Sequence, residues 1–149
     1  MMELAHLIGK TGKQFTFQVD LRHIRQFVQA IGDANPLYTD EEFAKNTVHG
    51  SIIAPLTFPI AITSDSGEEL DLGLDYRRML HGEQQFIYTR PIRPGDVLHC
   101  QSIVTDVYEK DGKNGKMEFI IMDTEMKDTE GNHVVTSRTN IIYRPLVTA

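Results

Sequence analysis

Two hydrophobic periods divide the chain. Leu21, Ile24, Phe27, Val28 and Ile31 recur every three or four residues, with Arg22, Arg25, Gln26 and Gln29 opposite them, which is the stripe of an amphipathic helix. Asp20 offers an acceptor for its first turn and Gly32 a stop. Ahead of it, Phe15 to Val19 alternates as a strand. Beyond Glu83 the period becomes two. Four extended runs, 83–90, 96–109, 116–127 and 133–144, are separated by Arg93-Pro94-Gly95, by Asp111-Gly112-Lys113-Asn114-Gly115 and by Thr129-Glu130-Gly131-Asn132. Turn chemistry of this kind between successive strands predicts an antiparallel meander.

Between these halves, Asp40, Glu41 and Glu42 open a short helix, 46–50 reads as loop, and 64–71 reads as an acidic surface connection. Leu56 to Thr63 is apolar enough for a core helix, with Pro59 tolerated near its first turn. The third extended run carries apolar residues on both parities, Met117, Phe119 and Ile121 against Ile120 and Met122, so both of its faces need cover. The apolar helix would cover one face and a partner subunit the other. The expected fold class is α+β, one domain over 1–149, with an antiparallel sheet wrapped around a central apolar helix.

Composition narrows the function classes. A chain of 149 residues, 40% hydrophobic and 24% charged, suits one soluble globular domain. A net charge of -6 with no lysine- or arginine-rich face argues against nucleic acid as a partner. The single cysteine, Cys100, lies in a strand-like run and reads as a buried thiol. The N-terminus lacks a basic start and a long apolar run, and no stretch approaches a membrane span, so a cytoplasmic protein with no membrane partner is expected.

Candidate chemistry gathers between Ile31 and Phe58. Asp33 follows the helix-ending glycine, Asn35-Pro36 imposes a tight turn, and Ser51 to Phe58 runs from an apolar stretch into a proline-initiated segment. Two readings stand for Asp33, a catalytic carboxylate or the acceptor of its own turn. Asn35 is either a turn-former or a ligand group, and Tyr38 either packs or donates a hydrogen bond. Arg77, Arg78, Arg90 and Arg93 form the one concentration of positive charge, a phosphate site or a solvated rim. His49 and His81 lack the neighbours of a metal site, and no metal is expected.

Gly32-Asp33-Ala34-Asn35-Pro36-Leu37, Leu80-His81-Gly82-Glu83-Gln84 and Arg93-Pro94-Gly95-Asp96, in this order around the apolar segment, resemble the hot-dog-fold MaoC-like dehydratases. The chain looks most like their N-terminal-type domain, as also found in the dehydratase heterodimers of mycolic-acid synthesis. The resemblance implies (R)-specific hydration or dehydration across the 2,3-bond of an acyl thioester on coenzyme A or acyl carrier protein, without a cofactor. It also implies an acyl tail lying along the central helix at a dimer interface.

The family pattern supplies an aspartate, a histidine five residues later and a backbone N–H at a glycine. Asp33 matches the aspartate, but Tyr38 stands at the histidine and Pro55 at the glycine. A phenol is a poor base at neutral pH, and proline has no N–H. The resemblance therefore implies a subunit that holds substrate through Asn35, Tyr38, Ala54 and Leu56, with phosphates near Arg90 and Arg93, beside a catalytic partner. The alternative is a non-catalytic acyl-thioester-binding homodimer. A thioesterase ranks below both, since it needs a carboxylate on or facing the central helix and Leu56 to Thr63 contains none.

Overall fold

The computed structural model describes residues 3–64 and 70–145. Helix α1 (Leu21–Ile31) forms where the stripe predicts, and its start is fixed by Asp20 N–H donating to His23 Nδ1 at 3.1 Å. Gly32 ends it in the left-handed conformation, φ 69°, which costs a residue without Cβ nothing. Ile24 and Val28 are buried against the sheet, whereas Ile31 is exposed. Helix α2 (Glu41–Lys45) is capped by Asp40, whose carboxylate accepts from Phe43 N–H at 3.1 Å, and buries Ala44.

Five strands, β1 (Phe15–Gln18), β2 (Met79–Tyr88), β3 (Val97–Gly112), β4 (Gly115–Lys127) and β5 (His133–Tyr143), form one antiparallel sheet in the order β1-β3-β4-β5-β2. Strands β3, β4 and β5 form the expected meander. The first extended run does not join it through a hairpin: β2 pairs with β5, and residues 89–96 cross to the far side of the sheet. Proline at 91 and 94 denies that stretch two ladder donors. Ile92 is buried in the core instead, and its carbonyl accepts from Ala54 N–H at 2.8 Å. The Arg93–Asp96 turn then docks on the end of β1, with Gly95 N–H donating to Val19 O at 2.7 Å and Val19 N–H to Asp96 O at 2.8 Å.

The expected helix over Leu56 to Thr63 is replaced by a single 3-10 turn, Phe58–Ala61. Its bonds span three residues: Phe58 N–H to Pro55 O, Ile60 N–H to Thr57 O and Ile62 N–H to Pro59 O. Pro55 and Pro59 are four apart, so an α-helix through both would press the Pro59 ring on the Pro55 carbonyl and forfeit that bond. Of the acidic connection, residues 65–69 lie outside the described residues.

The inner face of the sheet carries two apolar clusters. One joins Leu98, Cys100, Met126 and Val135 to Ile24, Val28, Ala54 and Phe58. The other joins Val104, Val107, Ile120, Ile141 and Tyr143 to Leu4 and Leu7. On the outer face of β4, Phe119 stacks on its cross-strand neighbour Tyr108, ring centroids 4.9 Å apart and 1° from parallel, below Lys110. Next to it Asp123 pairs with both ends of the Arg138 fork at 2.8 and 2.9 Å. Exposed apolar side chains collect instead at the free edge of β2, Leu80 and Ile87, and on Leu56 and Ile60. The edge kinks at Gly82, between His81 and Glu83, where a Cβ would stand 2.9 Å from the Ile142 side chain.

Two expectations test this packing. Burial pushes the Cys100 thiol up to about 12, so at pH 8 a fraction of only about 10⁻⁴ is thiolate. Iodoacetamide should leave the native protein unlabelled and modify it once it is unfolded in urea, as read by mass spectrometry. Glu118, buried on β4, accepts from Glu3 N–H at 2.6 Å and Leu4 N–H at 2.9 Å. Glu118→Ala orphans both donors and should cost about 1–3 kcal/mol, measured by urea denaturation.

Candidate functional site

The turn after α1 is built by its own polar side chains. Asp33 Oδ1 accepts from Asn35 N–H at 2.9 Å, and Asn35 Oδ1 accepts from Leu37 N–H at 3.0 Å. Asp33 N–H reaches back to Val28 O at 3.2 Å. The carboxylate is thus fixed to the backbone in an Asx turn, half-buried, while Asn35 is exposed. Pro36–Tyr38 makes one 3-10 turn that lays Leu37 and Tyr38 on the first apolar cluster, the same cluster that buries Ala54 and Phe58. Packing therefore brings the Asp33 turn and the Ser51 to Phe58 segment to one end of the core.

Ala54 N–H is spent on Ile92 O, Pro55 has none, and the Leu56 carbonyl accepts from the Tyr88 hydroxyl at 2.8 Å. Burial pushes the Tyr88 phenol well above its ordinary range. The Leu56 side chain is exposed. Arg93 Nη1 donates to His49 O and Ser51 Oγ, both at 2.6 Å, and so clamps the loop that leads into Ile52. Arg90 pairs with Asp96 at 2.8 Å. Both candidate phosphate groups thus hold the crossover in place. Among the described residues no His, Cys, Asp or Glu cluster is placed to hold a metal ion, and no helix is long and apolar enough to cross a membrane.

Sequence reasoning missed a cavity of about 290 Å³ over the inner face of the sheet, between the two apolar clusters. Its wall is Pro59, Ile60 and Ile62, and its floor is Ser102, Thr124, Ser137, Thr139, Gln84 and Met122. Ser102, Thr124 and Ser137 are register partners across β3, β4 and β5, one row from Cys100, Met126 and Val135. The hydroxyls are linked: Ser102 to Thr124 at 2.7 Å, Gln84 Nε2 donating to Ser137 Oγ at 2.8 Å, and Thr139 donating to Gln84 Oε1 at 3.0 Å. His81 stands at the rim, and its imidazole makes no hydrogen bond among the described residues. The available signal was small hydroxyl residues at one parity of three strands, which becomes a belt only once the register is known.

The family model described as "FAS1-like, dehydratase domain region" matches residues 6–137. A "UPF0336 protein" of Thermobifida fusca is 39% identical over 132 residues, covering 86% of this chain and 84% of that one. The HadBC (3R-hydroxyacyl-ACP dehydratase) complex of Mycobacterium tuberculosis superposes with a TM-score of 0.75 at 21% identity, over 91% of this chain and 96% of that one. The MaoC-like dehydratase of Rhodospirillum rubrum gives 0.68 at 22%, over 93% and 94%. The antiparallel sheet curved over a short central turn is a hot-dog fold, as in these MaoC-like neighbours, and the chain belongs to the FAS1-like dehydratase-region family.

Proposed function

We propose that this chain is a cytoplasmic hot-dog subunit of a 3-hydroxyacyl-thioester dehydratase or enoyl-thioester hydratase, one that holds the acyl group and relies on a partner subunit for the proton transfers. The observation that carries the reading is the chemistry at the Asp33 turn. Tyr38 stands where the family pattern has histidine and packs on the core, Pro55 stands at the glycine and has no N–H to give, and the preceding Ala54 N–H already serves Ile92 O. Elimination of water from a 3-hydroxyacyl thioester needs a base for the α-proton, an acid for the departing hydroxyl and donors for the enolate-like oxygen. A carboxylate alone supplies one of these.

What remains suits substrate holding and assembly. The cavity over the sheet opens beside Ile60, Thr63 and His81, and Asn35, Tyr38, Ala54 and Leu56, which do not line it, are proposed to hold the thioester end of the substrate. Arg93 uses only Nη1 of its guanidinium on the 49–51 loop, which leaves Nε and Nη2 to meet the phosphates of coenzyme A or of an acyl carrier protein, with Arg90 beside it. The exposed Leu80 and Ile87 on the β2 edge suit a second hot-dog protomer pairing along that strand. HadBC is a dehydratase of two different hot-dog subunits, and the same division of labour is proposed here.

A second reading, an acyl-thioester-binding homodimer without catalysis, is favoured by one observation: the Asp33 carboxylate is engaged in its own turn. Hydration of crotonyl-coenzyme A, followed by loss of enoyl absorbance, separates the two. The purified chain alone should turn over negligibly. Addition of a co-purifying hot-dog partner bearing Asp and His should raise the rate by about two orders of magnitude or more, the scale of one positioned acid or base. Saturable acyl-coenzyme A binding with no turnover in any mixture establishes the second reading. Robust turnover by the isolated chain, abolished in Asp33→Asn, refutes both and identifies a single-carboxylate enzyme.

A further inference from the structure

We infer that the cavity over the sheet selects an acyl group bearing an acceptor oxygen along its chain, away from the thioester, over an unsubstituted alkyl tail. The inference rests on the acyl-holding reading and adds the substrate class.

An alkyl pocket needs apolar walls on every side, because an unpaired buried donor disfavours an alkyl guest. This cavity has two unlike sides. Pro59, Ile60 and Ile62 face the guest from the central turn, whereas the sheet sets a row of Gln84, Ser102, Thr124, Ser137 and Thr139 beside the apolar Phe15, Met122 and Met126. The polar floor lies between two apolar clusters on the same face, so it interrupts a surface that is otherwise hydrocarbon. Ser102 and Ser137 are buried, and the belt is therefore part of the interior.

Counting protons on the belt shows which guest it fits. Thr139 gives its proton to Gln84 Oε1, and Ser137 Oγ receives one from Gln84 Nε2. The Ser137 hydroxyl proton and the second Gln84 amide proton are then unspent among the described residues. The Ser102–Thr124 pair holds one more, because a single proton closes their 2.7 Å bond. Surplus donors on a cavity floor call for an acceptor, so an oxo, ether or hydroxyl oxygen along the acyl chain satisfies the belt where a methylene cannot. The exposed Ile60, Thr63 and His81 mark the open side through which such a chain enters.

Met122 and Met126 line the cavity and report its occupancy. The full chain, labelled with methyl-¹³C methionine, is titrated with matched pantetheine thioesters: pentanoyl against levulinoyl, and hexanoyl against its 5-oxo derivative. Met122→Leu assigns one of the two signals. The oxo thioesters should shift both methyls and bind about tenfold tighter than their unsubstituted partners, the value of one well-placed hydrogen bond. Replacing the whole belt with apolar residues (Gln84→Met, Ser102→Ala, Thr124→Val, Ser137→Ala and Thr139→Val) removes every donor and should abolish that preference while unsubstituted thioesters still bind. The wild-type comparison decides the matter even if that variant does not fold. Equal or tighter binding of the unsubstituted thioesters at the same two methyls overturns this inference and leaves acyl holding intact. No perturbation of either methyl by any thioester at saturating concentration overturns both.

Discussion

Two prolines set the shape of the interior. Pro55 and Pro59 stand four residues apart in the segment that crosses the inner face of the sheet, the spacing at which a proline ring meets a carbonyl in an α-helix. The chain takes one 3-10 turn there instead, and Phe58 and Pro59 are buried while Ile60 remains exposed. A longer helix would lie over the middle of the sheet. The short turn leaves that middle open, and the space between the two apolar clusters is the consequence. The polar belt is compatible with folding only because it lies at this opening and its hydroxyls bond to one another; under a packed apolar helix its surplus protons would be orphaned.

Local patterns reported local structure well. The stripe of α1, its glycine stop, the acidic start of α2 and the four extended runs are each specified by residues a few positions apart, and each forms, although β2 starts earlier, at Met79, and β3 runs on to Gly112. Topology was less legible. The stretch from Thr89 to Asp96 has the residues of a tight turn, yet it is a crossover, because the partner of β2 is chosen by pairing with β5 and not by the turn itself. Ile31 fits the helical stripe but falls past the edge of the core. Contacts on the outer face of β4 also required pairing knowledge: Tyr108 stacks on Phe119 because the register of β3 with β4 sets them side by side.

The site divides in the same way. That Asp33 would be held by backbone geometry could be read from Gly32-Asp33-Ala34-Asn35-Pro36, since every hydrogen bond of that turn spans a few residues. That Ala54 N–H is already committed could not, because its acceptor, Ile92, is far along the chain. The arginines show the same limit: a cluster of positive charge in sequence becomes, in space, one guanidinium paired with Asp96 and one gripping the 49–51 loop. The belt of Ser102, Thr124 and Ser137 is the extreme case, three unremarkable residues on three strands that meet only through register.

The kink at Gly82 has its own bearing on assembly. An uninterrupted edge strand invites indiscriminate growth, with copy after copy adding in any alignment. Here the ladder between β2 and β5 breaks between His81 and Glu83, and the straight portion that follows, Glu83 to Tyr88, spans about 20 Å. A longer strand added at this edge would lose its register at the break, so the glycine that makes room for the Ile142 side chain also sets a limit on unchecked stacking along the sheet.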